Sequence, residues 1–176
     1  MNEPFGPTVQ AWQSFYMLLG GASATLIGLI FIAASLGTRL IEDKADPRIR
    51  TFVTPTVIYF SVVLLVSALM NVPTLTRPVL LVVLAAAGLY AAVYSVSHLP
   101  RLRDINQTES LENRAWLWNL LLPLFASLWL LGAALTLPRF LAYGLEAAAF
   151  GVVLFLVIGL HNAWEVTLRL VSLSPS

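Results

Sequence analysis

Six polar side chains stand in apolar surroundings where chemistry would have to happen: Glu146, Asn119, Ser127, His161, Asn162 and Glu165. Glu146 lies five residues into an apolar run, roughly 8 Å along a helix at about 1.5 Å per residue. An ionisable group at such depth in a bilayer is costly and is a functional candidate by default. In a polar interior it would bind a cation or relay protons. At the surface it would snorkel to the headgroups or pair with Arg139. Its helical angle is about 160° from the stripe formed by Gly144, Ala148 and Gly151, which sets it away from the closest helix contact.

His161 and Glu165 are four residues apart and share a helix face, a spacing that can hold a metal. Catalytic zinc needs three protein ligands, and His98 is the one remaining histidine. A site of His98, His161 and Glu165 is therefore the weak metal candidate, with bis-histidine haem weaker still because His98 falls at the end of an apolar run. The plainer reading pairs Glu165 with Arg169 one turn on, leaves His161 as packing and Trp164 as an interfacial anchor, and makes Asn162 an interhelical hydrogen-bonding group. Asn119, Pro123 and Ser127 form a third group. Pro123 cannot donate the bond that the Asn119 carbonyl would accept in a regular helix, so this face either holds water or an ion, or is a kink satisfied by a neighbouring helix.

No nucleophile and base pair takes a motif form, and there is no cysteine. Disulfides, iron–sulfur clusters and thiolate catalysis are thereby excluded. Within or near the apolar runs, an enzyme would have only Glu146, His98, His161 and Glu165 to titrate, so the chain reads as non-enzymatic and without a cofactor. Its net charge of +1 offers no field for nucleic acid.

These groups must be positioned by apolar helices. Of 176 residues 59% are hydrophobic and 11% charged, with a mean hydropathy of +0.84. That composition cannot cover a water-soluble globule and reads as an integral membrane protein. Because about 20 apolar residues cross a bilayer as a helix, the runs at about 15–38, 53–72, 79–97, 115–137 and 141–168 predict five spans in one all-α transmembrane bundle covering 1–176. The first run, FYMLLGGASATLIGLIFIAASL, follows a short tail with Trp12 as an anchor. Asp46-Pro47 predicts an N-cap and first helical position, so span two starts in the preceding loop. Pro138 predicts the start of span five.

Small residues recur at helical spacing on three spans: Gly20, Gly21, Ala24, Gly28 and Ser35 on the first, Gly88 and Ala92 on the third, and Gly144, Ala148 and Gly151 on the fifth. In lipid, helix association rests on close packing and interhelical hydrogen bonds, so these stripes mark where helices dock, within the chain or from a partner. Five spans would put the 39–51 and 98–114 loops and the C-terminal end on one side, with eight of the ten Lys and Arg. The positive-inside bias then sets the N-terminus outside and the C-terminus in the cytoplasm.

At FYMLLGGASATLIGLIFIAASL, with the second span ending near Val72-Pro73 and the last closing in HNAWEVTLRL, the chain resembles a group of small bacterial multi-pass membrane proteins. Members open with a Gly/Ala-rich ATLxGLxF span and end in an AW segment before a charged tail. Some carry an automatic label as modulators of a membrane-bound ATP-dependent protease. The resemblance implies a bacterial cytoplasmic (inner) membrane and carries over no catalytic residues.

Three functions remain open from sequence. The first is a protein working through helix contacts, as a homo-oligomer or as a subunit or regulator of a membrane complex. The second is a small oligomeric channel or transporter with Glu146 near the permeation path. The third is a metal- or haem-binding protein using His98 and His161.

Overall fold

A computed structural model of the chain describes residues 4–40, 47–97, 99 and 116–172. Among them there are five helices, all running against an apolar exterior. Helix α1, Phe5–Leu40, has 36 residues and would extend about 54 Å at 1.5 Å per residue. It begins well ahead of the expected residue 15, so the supposed tail is helical. Pro7 does not prevent this, because the first turn of a helix has no intrahelical use for the missing N–H. The Thr8 hydroxyl donates to the Pro4 carbonyl at 2.8 Å and helps to close that turn.

Helix α2, Pro47–Met70, starts at the proline that the sequence marks as a first helical position. It keeps Pro55 in its interior, buried. Helix α3 is Arg77–Ser97. Helix α4 opens with a π-helical turn, Leu117–Leu121, and continues directly as an α-helix over Leu122–Thr136. Helix α5, Leu141–Ser172, follows a turn in which Pro138 precedes the helix by three residues rather than starting it. The Leu137, Arg139 and Phe140 amides donate to the carbonyls of Ala133 and Thr136, so this reversal satisfies its own backbone.

Four segments are long and apolar enough to cross a membrane: Phe5–Ser35, Arg77–Ser97, Leu117–Thr136 and Leu141–Glu165. The described apolar part of α2, Thr54–Met70, is shorter. Helices α2, α3, α4 and α5 close into a four-helix ring in which α3 packs mainly on α4, α4 on α5 and α5 on α2. Helix α1 stands outside this ring, against α2 and to a lesser extent α5.

Paired residues fix the directions. Gly20 faces Ser67 and Ser23 faces Phe60, so α1 and α2 are antiparallel. Gly144 faces Leu137 and His161 meets Trp118, so α4 and α5 are antiparallel as well. Arg77 reaches both the Pro138 carbonyl at 3.4 Å and the Phe5 ring at 5.9 Å. The starts of α1 and α3 and the α4–α5 turn therefore share one end of the bundle, the Phe5 end.

The interior changes character along its length. Toward the Phe5 end it is filled by Met70, Leu80, Leu84, Leu130, Leu137 and Leu145. Toward the other end, where α1 finishes, it holds Thr56, Tyr59, Ser95 and Asn162, all buried. Large apolar side chains such as Phe31, Val82, Leu135 and Tyr143 are exposed around the whole outside. Exposed apolar area on this scale is a lipid-facing surface and not the skin of a soluble domain. With lipid as apolar as the core, the bundle is held by close packing and by hydrogen bonds such as Ser23 Oγ to the Phe60 carbonyl at 2.6 Å.

Candidate functional site

A π-turn opens α4 at the residues that meet the last third of α5. Pro123 has no N–H, so a regular helix would leave the Asn119 carbonyl without its donor. The chain widens by one residue instead: the Leu122 amide donates to the Leu117 carbonyl, five residues back. This passes over the Trp118 carbonyl, whose five-back donor would have been Pro123. Single π-turns of this kind occur often at functional sites. Ser127 is not free to serve that site, because its hydroxyl donates to the Pro123 carbonyl at 2.7 Å.

Against this turn stands the last third of α5. The rings of Trp118 and His161 stack with centroids 3.8 Å apart and planes inclined at 30°. Trp118 is thus half-buried as a packing partner. Asn162 follows at 100° around the helix and points into the bundle, 2% exposed. Asn119 is half-buried and does have a partner. Glu165 is half-buried one turn beyond His161. The side chain of Arg169, expected to pair with Glu165, lies outside the described residues.

Glu146 is on the outside. It is exposed on the same side of α5 as Tyr143 and Phe150, also exposed. It lies fifteen residues from His161 on the same helix, away from the Trp118–His161 stack. Any permeation path lined by Glu146 would have to run between copies and not through one bundle. No group of three or more His, Asp or Glu side chains that could hold a metal occurs among the described residues, and His98 lies outside them.

The small residues divide into used and unused positions. A Cβ at Gly20 would stand 3.0 Å from Ser67 Cβ, one at Gly88 3.0 Å from the Ser127 carbonyl oxygen, and one at Gly144 2.9 Å from Leu137 Cδ2. Gly151 has Trp129 and Leu130 at ordinary contact distance, Ala148 is buried and Ala92 is half-buried. By contrast Gly21 and Gly28 have nothing within 4 Å, and Ala24 and Ser35 are exposed. The first-span stripe thus packs within the chain at its Gly20 edge, while the rest of it faces outward.

Three contacts have no counterpart in the sequence reading. Gly159 receives the Phe60 ring. Trp129 Nε1 donates to the Ala147 carbonyl at 2.9 Å, locking α4 to α5. Arg77 joins Phe5 and Pro138, residues far apart in sequence. A lone glycine among large apolar residues was a possible signal for the first; the other two depend on packing that no local pattern carries.

The architecture defines a multi-pass integral membrane protein of all-α class, a helical bundle in contact with lipid. Comparison with family models, with curated proteins and with solved structures gave no match to the chain.

Proposed function

We propose that the protein is a non-enzymatic component of a membrane assembly, acting through helix contacts as a subunit or regulator. The observation that carries this reading is the outward side of α1. Gly21, Gly28 and Ser35 recur every seven residues on one exposed line, and among the described residues nothing occupies the space over the two glycines. Helix α1 uses only its other side, through Val9, Tyr16, Leu19 and Ser23, to hold the bundle. In lipid a line of small residues lets a second helix approach closely enough for backbone contact, which is where association energy comes from.

Under this reading all five helices cross the membrane, with the N-terminus outside and the cation-rich connectors in the cytoplasm. The resemblance to small bacterial multi-pass proteins supports a cytoplasmic-membrane location. The test uses a chain that contains no cysteine, so a single cysteine or photo-reactive residue at position 21 is unambiguous. In native membranes it should give a crosslinked species, whereas a reporter at Leu135, on the lipid face of α4, should give none. A chain that stays monomeric and unlinked from position 21 would refute the proposal.

A further inference from the structure

We propose that Arg77 and Arg139 together hold the phosphate of a phospholipid with a net negative headgroup, at the Phe5 end of the bundle. Arg77 opens α3, and its Nη1 atom lies 3.4 Å from the carbonyl oxygen of Pro138, which is 61 positions away in the α4–α5 turn. The carbon of that carbonyl is bonded to the Arg139 nitrogen, so the Arg139 backbone comes within about 6 Å of Arg77 Nη1. Among the described residues these two are the cations of this end. The fold thus brings them side by side.

The two described carboxylates lie elsewhere. Glu165 is near the opposite end, and Glu146 is on the outer face of α5, roughly 8 Å inward from the start of that helix. Glu3 lies outside the described residues. Two guanidinium groups at close quarters repel each other, more strongly beside hydrocarbon than in bulk water. An anion between them removes that cost. At headgroup level a bilayer supplies phosphate, and the planar fork of a guanidinium matches phosphate oxygens in a bidentate pair.

Arg77 is held ready for such a ligand. It is half-buried, directs one N–H to the Pro138 carbonyl and has its guanidinium carbon 5.9 Å from the centre of the Phe5 ring. Its further N–H donors are left for an acceptor of another molecule. Arg139 is exposed and adds the second charge. The surface next to the pair favours a lipid over a free anion: Arg77 is followed along α3 by exposed Val79 and Val82, and Arg139 by exposed Phe140 and Tyr143. Acyl chains cover such surface, which inorganic phosphate cannot use. The site needs no partner on α1, so this proposal and the crosslinking test of α1 can fail separately.

The experiment titrates the full chain, carrying isotope-labelled arginine in a neutral detergent, with phosphatidylglycerol. It is read on the Nε–H resonances of Arg77 and Arg139, which report this end alone and not the cation-rich connectors. Both resonances should shift together and saturate. Phosphatidylcholine with the same acyl chains, and inorganic phosphate, should leave them in place. In Arg139→Gln the Arg77 resonance should need about fivefold more phosphatidylglycerol for the same shift, the worth of one cation beside anionic lipid. Resonances that do not move, or that move equally with phosphatidylcholine or with inorganic phosphate, overturn the proposal, as does an unchanged Arg77 titration in Arg139→Gln. The titration of the unmodified chain decides the matter even if Arg139→Gln fails to fold.

Discussion

Phe60 lies so close to Gly159 that a Cβ at position 159 would stand 2.6 Å from its Cε1 atom. Real Cβ atoms do not approach an aromatic carbon so closely, so α2 and α5 depend on the missing side chain. Gly159→Ala should destabilise the bundle by about 1–3 kcal/mol through overpacking. Gly132→Ala, at a glycine with nothing within 4 Å, should leave stability nearly unchanged. Denaturant titration in detergent measures both, and Phe60→Leu combined with Gly159→Ala should recover part of the loss, since the two residues are in direct contact.

A second prediction concerns how α1 is attached. Ser23 Oγ donates to the Phe60 carbonyl from a fully buried position. Ser23→Ala should cost about 0.6–1.7 kcal/mol, the range of interhelical hydrogen bonds in membrane bundles. Loss should appear first as faster hydrogen exchange in α1, because that helix lies outside the four-helix ring. Equal exchange in α1 before and after the substitution would show that the bond contributes nothing.

The π-turn yields a third. In Pro123→Ala the new N–H can close a regular α-helix, which removes the extra residue from the turn. Everything before it then rotates by about 100° relative to α5, carrying Trp118 off His161. His161 ring protons, shifted upfield by the stacked indole, should move toward ordinary positions in the variant. Unchanged shifts would mean that packing with α3 and α5, and not Pro123, holds the turn open.

Glu146 provides a contrast, because its carboxyl is exposed on the outer face of α5. Glu146→Gln should change stability by less than about 0.5 kcal/mol, as surface substitutions do. A much larger loss in a monomeric preparation would place the side chain in a contact within the bundle.

How much of this was legible in the sequence depends on the range of the interaction concerned. Lengths of apolar runs placed the helices, and the described part of α2 begins at Pro47, while Asp46, the expected N-cap, lies outside the described residues. Run length and proline position are local properties of the chain. The early start of α1 at Phe5 was missed because glycine and proline there suggested a tail, although Pro7 falls in a first turn that tolerates it. Pro123 announced a disturbed hydrogen bond, but sequence could not say whether the answer would be a kink or a widened turn. That choice depends on α3 and α5 packing against residues 117–121.

The candidate site was only partly readable for the same reason. His161 and Asn162 were singled out by type, yet the stack on Trp118 joins residues 43 positions apart and leaves no trace in spacing. Spacing also set Glu146 away from the Gly144 and Gly151 side, and it is exposed. Small residues announced close approach without saying to what. Gly20 and Gly88 meet helices of this chain, while Gly21 and Gly28 have nothing within 4 Å among the described residues.

The central claim is that the outer line of α1 serves a partner and not the fold. The direct measurement compares crosslinking from position 21 in native membranes for the Gly28 chain and for Gly28→Ile, with the Tm of each determined alongside. The account predicts that isoleucine, opposed by nothing within 4 Å among the described residues, leaves the Tm of the purified bundle unchanged while strongly reducing the crosslinked species. Equal crosslinking in the two chains, or a Tm that falls with Gly28→Ile, would contradict it.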